Sequence, residues 1–415
     1  MPRFLHLADV HLGFDRYESK PRTLDFFKAF KDALEKYAIA EQVDFVLIAG
    51  DLFEHRMIQP AILNHAQICL EMLQDAKIPV LVIEGNHDNR PYGTTTSWLR
   101  YLADNGLLIL LEPEASATGG LLYRAWDGQQ GGYIDLDCGV RILGSYWYGT
   151  SAPQAIAQIA EAIQKLPPGP AHTILMFHHG LEGQISRYAG ALRYSDILPL
   201  RQAGVDYLAL GHIHKHYTIE DWIFNPGSIE ANSVEESRYE RGAYLVEINA
   251  QGIQADLKCD YYQRSIQRLK LTLRGQESVE EVYQGAIAQV QTAIGSGKLR
   301  PEAAPIVEFR IEGHIGFDRL ELNIRKLQEE LKALSGALIF LLKYEAEVLT
   351  YASPLSDQAS RMEIEQEVFT DLLTAHSAYK SRAQELSQGL INLKDLQLDN
   401  HSESELYKFI TGLLA

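Results

Sequence analysis

Phe4-Leu5-His6-Leu7-Ala8, followed at once by Asp9-Val10-His11, is the stretch that decides how the chain folds. A short run rich in Phe and Leu reads as a strand buried on both faces, and side chains that bind metals begin where it stops. The pattern recurs. Strands expected at Asp44 to Ala49, Val80 to Glu84, Thr173 to Phe177 and Tyr207 to Leu210 run into Gly50-Asp51, Gly85-Asn86-His87-Asp88, His178-His179-Gly180 and Gly211-His212-Ile213-His214. Ligands in α/β sheets bind beyond the carboxyl ends of the strands, so these clusters are expected to meet at one rim. On an extended segment residues i and i+2 share a side, which pairs Asp9 with His11 and His212 with His214.

Working outward, Leu24, Phe27, Phe30, Leu34 and Tyr37 recur at helical spacing between the first two strands. Alternating apolar runs and helical patterns continue to about residue 262, as an α/β layered fold with β-sheets flanked by helices requires. Pro167-Pro168-Gly169-Pro170 is a loop. From 263 to 352 the pattern changes to β-α-β-α-β, with alternation at Leu269, Leu271 and Leu273, and again at Val307, Phe309 and Ile311. This reads as a small α+β domain. From 353 to 415 every stripe is helical, at Ile364, Val368 and Leu372, at Leu386, Leu390 and Leu393, and at Leu406, Phe409, Ile410 and Leu413.

Hydrophobic residues at 46% and charged residues at 22% suit a globular protein, and no apolar run reaches the length of a membrane span. The sequence opens directly into its first strand without a basic leader or cleavage site, so export is not expected. Three widely spaced cysteines, Cys69, Cys138 and Cys259, offer neither a disulfide framework nor a zinc knuckle, and a cytoplasmic location is expected. A net charge of -17 argues against coating nucleic acid by bulk electrostatics. Imidazole mixed with carboxylate and amide oxygen suits manganese, iron or zinc better than an all-oxygen magnesium cage.

Together the clusters resemble the signature of the calcineurin-like metallophosphoesterases. More narrowly, Ala8-Asp9-Val10-His11-Leu12-Gly13, Ala49-Gly50-Asp51-Leu52-Phe53, Leu175-Met176-Phe177-His178, Tyr207 to His214 and Asn225-Pro226-Gly227-Ser228 resemble the SbcD-type nucleases of DNA double-strand-break repair. The resemblance implies that Asp9, His11, Asp51 and His214 hold one metal ion and Asp51, Asn86, His178 and His212 a second, with Asp51 as the bridge and Mn2+ as the ion. It implies that His87 protonates or stabilises the leaving oxygen. It also implies DNA as substrate, a small capping domain, an SbcC-type coiled-coil ATPase as partner, and a helical tail offering apolar stripes for that ATPase. No membrane role is implied, and homodimerisation stays open.

One position departs from the pattern. Where these nucleases carry His or Asp, three residues beyond the bridging Asp51, this chain has Glu54, which puts the handling of a DNA end, and so exonuclease or endonuclease action, in question. His179 and His216 read as supporting or surface residues and His6 as a satisfied interior histidine. Arg268, Lys270, Arg274 and Arg310 are open to two readings, DNA phosphate contacts or a solvated strand face. Three functions stay in play: a DNA repair nuclease, a phosphatase or small-molecule phosphodiesterase, and a metal-binding adaptor without activity.

Overall fold

The computed structural model describes residues 1–116, 119–185, 191–348, 360–376, 378–399 and 401–414. Two compact units divide the chain, Met1–Arg264 and Ser265–Ala415. In the first, the strands are β1 (Arg3–Leu7), β2 (Phe45–Ile48), β3 (Val80–Val82), β4 (Ile109–Leu110), β5 (Glu114–Ala115), β6 (Leu121–Leu122), β7 (Tyr133–Leu136), β8 (Val140–Leu143), β9 (His172–Phe177), β10 (Tyr207–Leu210), β11 (Tyr217–Ile219), β12 (Ile223–Asn225), β13 (Ala243–Asn249) and β14 (Gly252–Lys258). They form two six-stranded sheets, ordered β14-β13-β1-β2-β3-β4 and β11-β12-β10-β9-β8-β7, beside a small β5-β6 ribbon.

The five strands that end in candidate metal ligands are therefore shared between two sheets, β1, β2 and β3 in one and β9 and β10 in the other. The single rim expected from sheet logic is a rim common to both. Alternation along each strand explains why the sheets stack. Phe4, Phe45, Leu47, Ile174, Met176, Tyr207 and Ala209 fill one buried cluster, while their neighbours Leu5, Val46 and Ile48, or Leu175, Phe177 and Leu208, belong to the outer ones. Such double-sided burial is what a continuous apolar strand demands.

Helices α1 (Lys20–Leu34), α2 (Pro60–Asp75) and α3 (Trp98–Asp104) cover the first sheet, and α4 (Ala152–Gln164) and α5 (Tyr194–Gln202) the second. The buried face of α1 runs through Phe26, Ala29, Phe30, Ala33 and Leu34, whereas Leu24, expected on that stripe, is largely exposed. A π-helical turn over Glu35–Ile39 follows and alters the register, so Tyr37 ends by donating to the carbonyl of Asp260.

The second unit begins with β15 (Ile266–Arg274), α6 (Val279–Gly295), β16 (Ile306–Ile315), α7 (Ile324–Ser335) and β17 (Ile339–Tyr344), and a short β18 (Glu347–Val348) pairs with β16. Parallel pairing of β15, β16 and β17 leaves α6 and α7 as crossovers packed on one cluster that includes Leu273, Val290, Phe309, Leu327 and Leu331. Three further helices follow, α8 (Arg361–Ala375), α9 (Ala383–Leu398) and α10 (Glu403–Leu414). The boundary expected at 352/353 lies outside the described residues. None of the described helices is long and apolar enough to cross a membrane.

Candidate metal centre

Each cluster sits on the turn that follows its strand, and those turns are sharp. Asp9, His11, Asp51 and His212 all have positive φ, between 52° and 80°. Non-glycine residues hold this left-handed conformation only where the surrounding structure imposes it. Here the imposing contacts are visible: Asp9 and His11 donate their backbone N–H groups to Gly50 and Asp51 carbonyls, and His212 N–H reaches the Asp9 carboxylate at 2.9 and 3.0 Å. The extended i, i+2 geometry expected for Asp9 and His11 is thus replaced by two left-handed residues. Glycine is needed beside them, since a Cβ at Gly85 would fall on the Asp51 carboxylate and one at Gly50 on the His178 ring.

Asp88 ties two of these turns together. Its carboxylate accepts from Leu52 N–H at 2.7 Å and Gly85 N–H at 2.8 Å, joining the turn after β2 to the turn after β3. Asn225 does the same for the turn after β10, donating its amide to the carbonyls of Ile213 and Lys215 at 2.7 and 2.9 Å. The loop after Asn225 is anchored in turn by Arg22, which donates to the Ala231 carbonyl and lies 3.2 Å from Asp25 and 3.3 Å from Glu230. All three of these charged side chains are buried, which is tolerable because each is paired.

These constraints bring the seven expected ligands together, in two groups. Asp9, His11 and His214 place ligand atoms within 4.8 Å of one another, as do Asp51, His178 and His212. Asn86 joins the second group, its Oδ1 lying 2.8 Å from His212 Nδ1 and 3.2 Å from His178 Nε2. His212 and His214 therefore fall in different groups instead of sharing one centre as their spacing suggested. Asp9 Oδ1 stands between, 3.8 Å from His214 Nε2 and 4.0 Å from His178 Nε2.

The donor set fits metal ions. His178 turns Nδ1 to the Ala49 carbonyl at 2.7 Å, and His214 turns Nδ1 to Glu236 at 3.1 Å. Each ring nitrogen so occupied carries the proton, which leaves the Nε2 lone pairs aimed into the cluster. There His11 Nε2 and His214 Nε2 lie only 3.1 Å apart, close enough for one ion to accept both. Protons compete with metal ions for the same nitrogens. Burial alone raises Asp51, yet His178, His11 and His87 outweigh it and hold the carboxyl far below its usual range. Burial disfavours charge on His178 and His214, but Asp51 and Glu236 respectively lift each to about 9. His212 is pushed down to about 2 by burial and the His178 charge.

His87 belongs to a third cluster, its ligand atom within 4.8 Å of those of His11 and Glu54. Its backbone N–H donates to Asp51 Oδ1 at 2.9 Å and its Nδ1 lies 2.8 Å from the Glu54 carbonyl, while the side chain is 38% exposed. Nε2 is left for an incoming group. Glu54 faces the other way, with Oε2 2.7 Å from His11 Nδ1. Glu236 and Trp147 also touch the centre and went unnoticed in the sequence. Trp147 lies across His212, ring centroids 5.0 Å apart, and stacks on His179 at 5.7 Å. His6 is buried, with Tyr207 hydroxyl at 2.9 Å and the Leu210 carbonyl at 3.1 Å on its two nitrogens. Near His216 the Glu240 carboxylate stands 3.6 Å away.

Residues 2–216 match the family described as "Calcineurin-like phosphoesterase". The chain belongs to that family. Among curated proteins it is similar to the DNA double-strand break repair protein Mre11 of Archaeoglobus fulgidus, 32% identical over 246 residues, which covers 57% of this chain and 52% of the relative. Similarity to the protein of the same name from Methanosarcina mazei is 28% over 255 residues, covering 61% of this chain and 37% of the relative. That from Saccharolobus solfataricus is 25% identical over 427 residues, spanning both chains in full. The match to the first two of these relatives thus spans about half of their length or less.

Proposed function

We propose that this phosphoesterase is a nuclease that hydrolyses DNA phosphodiesters in double-strand-break repair. The observation that carries the reading is the pair of adjacent ligand groups, Asp9-His11-His214 and Asp51-His178-His212, combined with likeness to repair proteins along the whole chain. In this reading Asp9, His11, Asp51 and His214 hold one Mn2+ and Asp51, Asn86, His178 and His212 the other. When bound, two such ions stabilise charge on phosphoryl oxygens and activate water for an in-line displacement.

The remaining steps belong to the chain. His87, whose Nδ1–H donates a hydrogen bond to the Glu54 carbonyl, would in its imidazolium form deliver the Nε2 proton to the departing oxygen and be left neutral. Asp88 and Asn225 hold the three turns in register so that this geometry exists before substrate arrives. In the second unit, residues 263–352 serve as capping domain and 353–415 as the docking region for an SbcC-type coiled-coil ATPase. The exposed Ile364, Val368 and Leu372 on α8 support docking, being an apolar stripe left uncovered among the described residues. Direct phosphate contact by Arg268, Lys270 and Arg310 has less support, because these pair with Glu308 and Glu312 on β16 and with Glu345 just after β17.

The test uses the purified full chain with Mn2+ and four substrates in separate reactions: labelled linear duplex, single-stranded circle, bis-p-nitrophenyl phosphate and p-nitrophenyl phosphate. Cleavage of either DNA is expected. Turnover confined to the two nitrophenyl esters would instead identify a small-molecule phosphoesterase, and silence on all four would mean the centre only binds metal.

A further inference from the structure

Immediately beside the candidate metal centre is a cleft of about 380 Å3 lined by Glu84, Asn89, Arg90, Tyr146, Trp147 and Tyr148. It opens where β3 and β8 end, on the same rim as the ligands, and its volume falls within the ~300–1,000 Å3 typical of small-molecule sites. Trp147 belongs to both places. Its ring lies against His212 and His178, at 5.0 and 5.7 Å between centroids, and also lines the cleft. A group held in the cleft is therefore one side chain away from the centre.

The lining indicates what that group is. Arg90 is the cleft's one cation and is exposed, while Glu84 is a buried carboxyl on the same wall, so the lining holds one formal charge of each sign and no cluster of cations. Aromatic rings dominate instead, three in succession from Tyr146 to Tyr148. Trp147 is held rigidly for such a role. His179, itself buried with its ring nitrogens 3.1 Å from the Gly180 carbonyl and 3.2 Å from the Gly149 carbonyl, stacks at 25° to the indole. A planar, neutral, partly polar ring suits these walls, with the amide of Asn89 within the same lining to meet its edge.

We propose that this cleft is a nucleobase subsite, in which Trp147 stacks the base of the nucleotide next to the phosphate being cleaved. The inference rests on the nuclease reading and extends it by naming what holds the strand beside the metals. Stacking on an aromatic side chain tolerates every base, because each presents a π-face, and its loss by alanine substitution weakens binding roughly 5- to 150-fold. The subsite anchors the strand without reading its sequence.

The experiment is a cycle between protein and substrate, run on the metal-loaded full chain with single-stranded oligonucleotides of one sequence. One abasic residue is walked through the positions around the cut. In the wild type, one position flanking the scissile phosphate is expected to raise KM roughly 5- to 150-fold when abasic. Trp147→Ala should raise KM on the intact oligonucleotide by a similar factor and should add little on the oligonucleotide already abasic at that position. Trp147→Phe should recover most of the loss, and the wild type's turnover of methyl p-nitrophenyl phosphate, which has no base, is the reference for the metal-dependent chemistry. Equal sensitivity to an abasic residue at every position in the wild type overturns the subsite, and that measurement needs no variant to fold. So does a Trp147→Ala defect that is independent of the abasic position. Failure of the wild type to cut any oligonucleotide while it hydrolyses the methyl ester overturns the nuclease reading, and the subsite with it.

Discussion

Glu236 offers a test of the metal centre that does not depend on turnover. Its Oε1 lies 3.1 Å from His214 Nδ1 and its Oε2 accepts the Asn232 N–H at 2.8 Å, so each carboxylate oxygen has one task. Both side chains of the pair are 20% exposed. Replacing the carboxylate with alanine removes the group that fixes the His214 tautomer and the orientation of its ring. Glutamine has a single amide oxygen and cannot serve both donors. Loss of an outer partner of a metal-binding histidine typically weakens affinity 10- to 100-fold, about 1.4–2.7 kcal/mol. Proton competition must be removed first, because Glu236 helps hold His214 at about 9. At pH 9 that competition amounts to about a factor of two. Calorimetric titration of metal-free protein with Mn2+ at pH 9 is then expected to show two sites in the wild type. In Glu236→Ala and Glu236→Gln one site, the His214 site, should be weakened by this factor and the other left within about threefold. Equal weakening of both sites, or of neither, would refute the division of ligands into two groups.

Three other outcomes are expected. If Asp51 serves both proposed ions, Asp51→Asn should weaken both sites at once, and elemental analysis after dialysis checks it; full occupancy and activity would sink the shared bridge. His87→Leu should keep both ions and the fold while slowing phosphodiester cleavage on the order of a hundredfold to ten-thousandfold, with a smaller deficit on p-nitrophenyl esters, whose leaving anion needs little protonation. Equal impairment of both substrate classes, or a lost metal, would remove the acid role. His6, pushed down to about 3 by burial, refuses a proton that the unfolded chain takes up near 6.5. Stability is thus unaffected above pH 6.5 and falls as pH drops toward 3. Between pH 7 and 4.5 the wild type should lose roughly 2–3 kcal/mol more than His6→Gln in urea denaturation, and parallel losses would contradict it.

Several supporting residues were not legible because their significance depends on distance in space. Asp88 stands in a motif whose neighbours draw attention, yet its task is to bond backbone N–H groups of a turn some thirty-six residues earlier. Glu236 lies in an unremarkable acidic stretch and meaning comes only when a loop anchored by Arg22 carries it to His214. Trp147 follows an apolar strand and reads as core until β8 is found next to β9. Glu54, flagged as a departure, faces His11 with its carboxylate and His87 with its carbonyl, a division no spacing rule contains.

What the sequence by itself determined is whatever depends on near neighbours along the chain. Period-two and period-3.6 patterns reflect which faces must be buried, so the α/β layers, the β-α-β-α-β order and the helical end could be read directly, while the parallel pairing of that unit came from the structure. The candidate ligand positions stood out for a related reason, since polar residue types gather where an apolar strand leaves the core, with buried His6 inside β1 as an exception. Sheet membership was beyond that reach: β1 bonds to β13 across most of the unit, and nothing in the local pattern distinguishes joining that sheet from joining the one built on β9 and β10. Nor did the extended spacing of Asp-x-His survive. Tertiary hydrogen bonds from Gly50, Asp51 and the Asp9 carboxylate hold Asp9, His11 and His212 in left-handed conformations, and those long-range bonds, not the residue interval, decide which ligands share a centre.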